Sequence, residues 1–160
     1  MKYIGIILIL LASVLFGRLY SESLREKSRE LSEFIRFLRF MRERVECYLE
    51  SAEDVAGSFS SAVLEKCGFL DELKRSGRID MAYRACEGKL SINSEDKEII
   101  REFFSHSGKG YLEREIMLTD GAISALENSL GKYKENSGKR GKSVGAISLA
   151  VGLGLAVLLI

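Results

Sequence analysis

Nucleophilic or metal chemistry in this chain would have to come from three thiols and one imidazole. Cys47, Cys67 and Cys86 lie far apart in the sequence and form no Cys-x-x-Cys or other metal-ligand spacing. A thiol in a reducing compartment is usually a small buried apolar group, and all three are read that way. His106 is the only histidine and sits in a Ser/Gly turn, without the sequence context of a Cys–His pair. Ser107-Gly108-Lys109-Gly110 looks like a phosphate loop only at first glance. It lacks the upstream Gly, the Ser or Thr after Lys, and a preceding strand. Carboxylates are plentiful, but none forms a pair in an apolar setting, as acid–base catalysis needs. The expectation is no catalytic residue, no metal and no cofactor.

One surface feature is regular. Arg18, Arg25, Arg29 and Arg36 fall within a narrow arc of one helix, and Glu22, Glu26 and Glu33 each precede an Arg by three residues. Such pairs hold a solvated face together, at about 0.2–0.5 kcal/mol each. Arg25, Arg29 and Arg36 are also candidates for a partner interface. At about 100° per residue Phe40 points nearly opposite to Leu31, with Phe37 between the two. An aromatic ring on a charged helix implies a second contact surface, either with shorter helices of the same chain or with another protein. Phe37 and Phe40 therefore join the interface candidates.

The elements that carry these residues are helical. Leu31, Phe34, Leu38, Met41, Val45, Tyr48 and Ala52 step alternately by three and four. That is a heptad seam on a long helix over roughly Ser23–Leu49. Leu112, Ile116, Thr119, Ile123, Leu126, Leu130 and Tyr133 repeat the device on a second long helix. This one can run from Tyr111 through Lys142, although Gly131, Gly138 and Gly141 invite a bend. Between the two, Ser51 with Asp54 reads as a capping pair for a helix to Lys66, burying Val55, Phe59 and Val63. Gly68 suits a left-handed helix end, and Gly77 closes a short helix over Phe69–Ser76. Asp80 is read as the cap of Met81–Glu87. Asn93 or Ser94 opens a helix to Ser105 with Ile99, Ile100, Phe103 and Phe104 inward. No alternating strand pattern occurs. The fold expected is all-α: a helical bundle of two long antiparallel helices with a cap of shorter ones.

Of 160 residues, 46% are hydrophobic and 29% charged, which excludes a disordered chain. The 24 basic and 23 acidic side chains leave a formal charge of +1, without the basic excess of a general nucleic-acid binder. The apolar residues gather at the ends. Tyr3 to Gly17 carries no charge, and neither does Val144 to Ile160. A membrane crossing takes about 20 apolar residues and at least about 17, so the C-terminal run is just long enough. The N-terminal run is shorter but is flanked by Tyr3 and Tyr20, where interfacial aromatics belong. We read it as an uncleaved anchor rather than a signal peptide, since Lys2 is a thin basic leader. Basic residues flank the inner ends of both runs, and basic flanks stay cytoplasmic. The division expected is an anchor over 1–20, a cytoplasmic helical domain over 21–142 and a transmembrane helix over 143–160. Gly145, Ala146, Ala150, Gly152 and Gly154 supply small residues at four-residue spacing, candidates for close helix packing.

The order and spacing of several segments carry a resemblance over almost the whole chain. After the short apolar anchor, Arg29-Glu30-Leu31 opens a helix with Leu38 and Met41 that ends at Val45-Glu46-Cys47-Tyr48. Glu98-Ile99-Ile100, Phe103, Gly108 and Glu113-Arg114-Glu115-Ile116 follow, then Lys142-Ser143-Val144-Gly145 before a Leu/Val-rich span. This layout resembles the stage III sporulation protein AB family of endospore-forming bacteria. The chain departs from it after Tyr48, where relatives tend to carry Pro and Ser51-Ala52-Glu53 stands instead. The resemblance implies a non-enzymatic membrane component of the channel between mother cell and forespore. It implies a cytoplasmic domain similar to the platform proteins of secretion and pilus systems, in the mother-cell-derived membrane around the forespore. It also implies a secretion-type ATPase, stage III sporulation protein AA, as cytoplasmic partner, with other channel subunits beside it. The alternative is a self-assembling membrane scaffold or spacer, homo-oligomeric and without ATPase contact.

Overall fold

The computed structural model of the chain describes residues 2–48, 58–107 and 111–158. Within them, side chains are described for 18–44, 58–107 and 111–136, and for Leu11, Ala12, Leu15, Ala150 and Gly154. The described residues are all-α, with no strand among them. The helices are α1 (Lys2–Tyr48), α2 (Ala62–Lys66), α3 (Phe69–Ser76), α4 (Ile79–Cys86), α5 (Ser94–His106) and α6 (Leu112–Leu158), with a 3-10 turn at Glu87–Lys89. α1 and α6 have 47 residues each, about 70 Å at 1.5 Å per residue. α6 runs unbroken through Gly131, Gly138 and Gly141. Two compact units result: residues 27–131, and residues 1–26 with 132–160.

In the 27–131 unit, α1 buries Leu31, Phe34, Leu38 and Met41 of the seam. It also buries Glu30, Ile35 and Phe37, so the covered arc is about 160° at 100° per residue. A two-helix seam needs less. The extra width exists because short helices cover one flank of α1. On the other flank, Arg39 is ion-paired to Glu127. One turn further on, Arg42 Nε lies 2.5 Å from Asp120 Oδ1 and Nη2 lies 3.2 Å from Oδ2. As α1 advances α6 recedes, so the two run antiparallel here. Thr119, Ala122, Ile123 and Leu126 of α6 are buried.

The short helices are held by rings. Phe34 meets Phe69 and Tyr83 edge-on, at centroid distances of 5.6 and 5.8 Å. Phe69 stacks on Phe104 at 5.8 Å. Such pairs add about 0.5–1.5 kcal/mol each beyond the area they bury. Tyr83 is fully buried, and its hydroxyl donates to the Lys97 carbonyl at 3.0 Å. Burial, then the neighbouring Glu87 carboxylate, pushes its phenol well above the ordinary range.

Three local expectations need correction. Of the helix read from Ser51 to Lys66, the described part from residue 58 is helical only over α2, Ala62–Lys66. Ser61 is extended at φ −156° and caps it, its Oγ accepting from Leu64 N at 3.3 Å. Ser51, Asp54 and Val55 lie outside the described residues. α4 begins at Ile79, with Arg78 at the cap position, and Asp80 pairs with Arg78 at 3.1 Å instead of capping. Asn93 holds the cap position of α5, but its Oδ1 accepts from Lys27 Nζ at 3.3 Å and makes no cap bond. Gly68 and Gly77 do take left-handed conformations, at φ 86° and 65°, where only glycine is free of strain.

In the unit of residues 1–26 and 132–160, Leu11, Leu15 and Leu19 are exposed along one face of α1. Ala150 and Gly154 are exposed on α6. Among the described residues no helix is long and apolar enough to cross a membrane. Most side chains of both apolar runs, including those at Gly145, Ala146 and Gly152, lie outside the described residues.

Candidate protein-interaction site

α1 sets the site through Glu33, Arg36 and Phe40, which its period places on neighbouring flanks. Glu33 Oε2 accepts from Ser61 Oγ at 2.7 Å and pairs with Arg36 at 3.0 Å. Arg36 Nη2 donates to the Ser60 carbonyl at 2.7 Å, and its guanidinium lies 4.9 Å from the centre of the Phe59 ring. These contacts fasten the start of α2 to α1. The Glu33–Arg36 pair is therefore a clasp rather than part of a merely solvated stripe. Arg29 is exposed on the same helix, and Arg25 is exposed in the other compact unit.

Phe37 is not a surface residue. It is 0% exposed and meets Phe59, Phe69 and Phe104 at 5.2, 5.3 and 6.2 Å. The reason is the wide buried arc of α1: Phe37 faces the short helices. It drops out as a partner contact. Phe40 is half-buried, with its ring 5.3 Å from Phe59 and the Arg44 guanidinium 5.3 Å away over its face.

An open groove of about 420 Å³ lies here, with Phe40 and Phe59 as its floor and Arg36, Arg39 and Glu43 at its rim. The Arg36 guanidinium near the Phe59 ring gives it an apolar base with charged edges.

A second groove, of about 440 Å³, lies between α5 and the start of α6. Phe103, Leu118, Ala122 and Ala125 line it, with Glu102, His106 and Arg114 at the edge. Met117, also in its lining, is 68% exposed. The seam reading of α6 misses this face, because Leu118, Ala122 and Ala125 step off the heptad line. His106 is the exposed last residue of α5, its Nδ1 2.9 Å from the Glu102 carbonyl and 3.0 Å from Ser105 Oγ.

Sequence reasoning also misses Glu30. Its buried carboxylate accepts from the backbone of Ser91 and Ile92 at 2.6 and 3.2 Å, which pins the segment before α5 to α1. Cys67 and Cys86 are free and buried, as read from sequence, and Cys47 lies outside the residues with described side chains. Among the described residues, no three or more His, Cys, Asp or Glu side chains are grouped to hold a metal ion.

No curated protein and no solved structure matches the chain. The sequence model of the family described as stage III sporulation protein AB matches residues 2–160, nearly the whole chain. With its described residues all helical and the match covering it almost end to end, the chain belongs to the stage III sporulation protein AB family, a sporulation protein family.

Proposed function

We propose that the protein is a non-enzymatic platform or adaptor of a sporulation channel, rooted in the membrane at both ends, on which a cytoplasmic secretion-type ATPase docks. The observation that carries this reading is the groove over Phe40 and Phe59, rimmed by Arg36 and Arg39. It offers a protein partner an apolar seat with charge at its edge. Both charge-free runs belong to 47-residue helices that also carry the seams. A stiff helix passes on a displacement applied at one end instead of absorbing it. The exposed Leu11, Leu15 and Leu19 suit contact with lipid, and the basic flanks of both runs suit a cytoplasmic central domain. The membrane in question is the mother-cell-derived one around the forespore. The partner is an ATPase of the stage III sporulation protein AA type, with channel subunits alongside.

Site-specific photo-crosslinking tests the reading. A benzophenone amino acid replacing Phe40 in sporulating cells is expected to give an adduct with the ATPase. Adducts with a second copy of the chain alone would favour the self-assembling scaffold. Release of the chain by carbonate washing, or digestion of its middle by protease added outside intact protoplasts, would overturn the membrane arrangement.

A further inference from the structure

We infer that Cys67 and Cys86 form a buried dithiol that closes to a disulfide by exchange with a low-molecular-weight disulfide. The inference stands apart from the docking reading and survives its failure.

The fold brings the two thiols together although 18 residues separate them in the sequence. Cys67 ends α2, and Cys86 is the last residue of α4. Only Gly77 and Arg78 join α3 to α4, and the two helices pack against each other as a hairpin. The start of α3 therefore returns beside the end of α4. Lys89 reports the same juxtaposition, with its Nζ 3.5 Å from where a Cβ on Gly68 would stand. The two thiols are near enough to perturb each other's ionisation. Each is also within donor reach of the carbonyl three residues back, Leu64 and Tyr83, at 3.2 Å.

The surroundings make the pair unequal. Cys67 is 8% exposed and Cys86 1%, so Cys67 is the thiol a reagent reaches. Interaction with the Cys86 thiol draws the Cys67 pKa below the ordinary thiol range, against the opposing effect of burial. The same contact and burial push Cys86 up. One sulfur is suited to attack and the other to resolve.

The exchange runs in two steps. The Cys67 thiolate attacks one sulfur of the external disulfide. That S–S bond breaks, and one small thiolate leaves and takes up the proton Cys67 has lost. Cys86 then loses its proton and attacks the Cys67 sulfur, expelling the second small thiol. Two protein thiols are oxidised by two electrons, and one external disulfide is reduced to two thiols. Both side chains must first rotate away from their carbonyls. The bond ties the end of α2 to the end of α4, and so braces the Ser60–Ser61 segment beside the Phe40 groove.

The test uses the full chain in detergent with glutathione disulfide, followed by acid quench and unreduced tryptic mapping. Trypsin cuts after Arg44, Lys66, Lys74, Arg84 and Lys89, so each of the three cysteines falls on its own peptide. Expected is peptide 67–74 joined to peptide 85–89, reversed by dithiothreitol. Cys86→Ala is expected to trap glutathione on Cys67. Cys67→Ala is expected to leave Cys86 modified about tenfold more slowly. The inference is overturned if the helical wild-type chain gives no 67–86 bridge, if modification stops at Cys47, or if the bridge forms only in denaturant. The wild-type map decides the question even if a variant fails to fold.

Discussion

Glu30 Oε2 accepts the backbone N–H of Ser91 at 2.6 Å, across 61 positions of sequence. The same oxygen takes the Ile92 N–H at 3.2 Å. One carboxylate on α1 thus does for the segment before α5 what a helix cap does for a helix end. Glu30→Ala leaves two backbone donors without this acceptor. It is expected to cost about 1.5–3 kcal/mol, the range for hydrogen bonds to a charged group. Glu30→Gln keeps an acceptor oxygen and should cost about half as much. Urea unfolding of the full chain in detergent, followed by helical circular dichroism, measures both. Equal stability of all three chains would remove Glu30 from the framework.

Arg36 and Arg29 look alike in the sequence and should behave differently. Arg36 reaches the Ser60 carbonyl, Glu33 and the Phe59 ring together. Arg36→Ala is expected to destabilise by about 1–2 kcal/mol and to loosen α2. Arg36→Lys should rescue little, because an ammonium cannot both reach the carbonyl and lie flat on the ring. Arg29→Ala should stay within about 0.5 kcal/mol. Hydrogen exchange at residues 60–66 is the sensitive readout: faster in both Arg36 variants, unchanged in Arg29→Ala.

Phe37 and Phe40 separate stability from recognition. Phe37 is enclosed by three rings, so Phe37→Ala should cost about 3–5 kcal/mol. Phe40 is half-buried in the groove floor. Phe40→Ala should cost about 1 kcal/mol in stability and reduce partner co-purification from sporulating cells. Thermal unfolding beside pull-down yield checks the pair. Loss of yield with only a small loss of stability is expected for Phe40 alone.

What the sequence makes legible follows from how local each cause is. Gly68 and Gly77 are readable because a positive φ is a single-residue demand that glycine meets. The α1 seam is readable because burial along one helix leaves a period. Phe37 is not, because a heptad line describes one partner and α1 has two. Its place inside or outside depends on where the short helices lie, which no period of α1 records. Glu30 and Arg36 are opaque for another reason. Their partners are backbone groups at Ser91, Ile92 and Ser60, and any sequence supplies those. Ser61 escapes the capping-box pattern because Leu64, not Glu or Gln, stands three residues on. The thiol pair is hidden by the α3–α4 hairpin that joins it.

Cys67 reactivity should carry a pH signature set by Cys86. Interaction with the Cys86 thiol draws the Cys67 pKa below the ordinary thiol range, while burial works the other way. Iodoacetamide attacks the thiolate, so the Cys67 alkylation rate should reach its plateau at a lower pH than that of an ordinary thiol. In Cys86→Ala the favourable contact is gone and burial remains, so the midpoint should move up, toward or past the ordinary thiol value of about 8.5. Mass spectrometry of peptide 67–74 after timed pulses at each pH separates Cys67 from the other two thiols. A wild-type midpoint already at or above the ordinary value, or one that does not move in Cys86→Ala, would mean that Cys86 does not tune Cys67. The sign is the informative part. Removing a neutral neighbour from a buried thiol lowers its acidity only if that neighbour turns its S–H from the Tyr83 carbonyl to the thiolate.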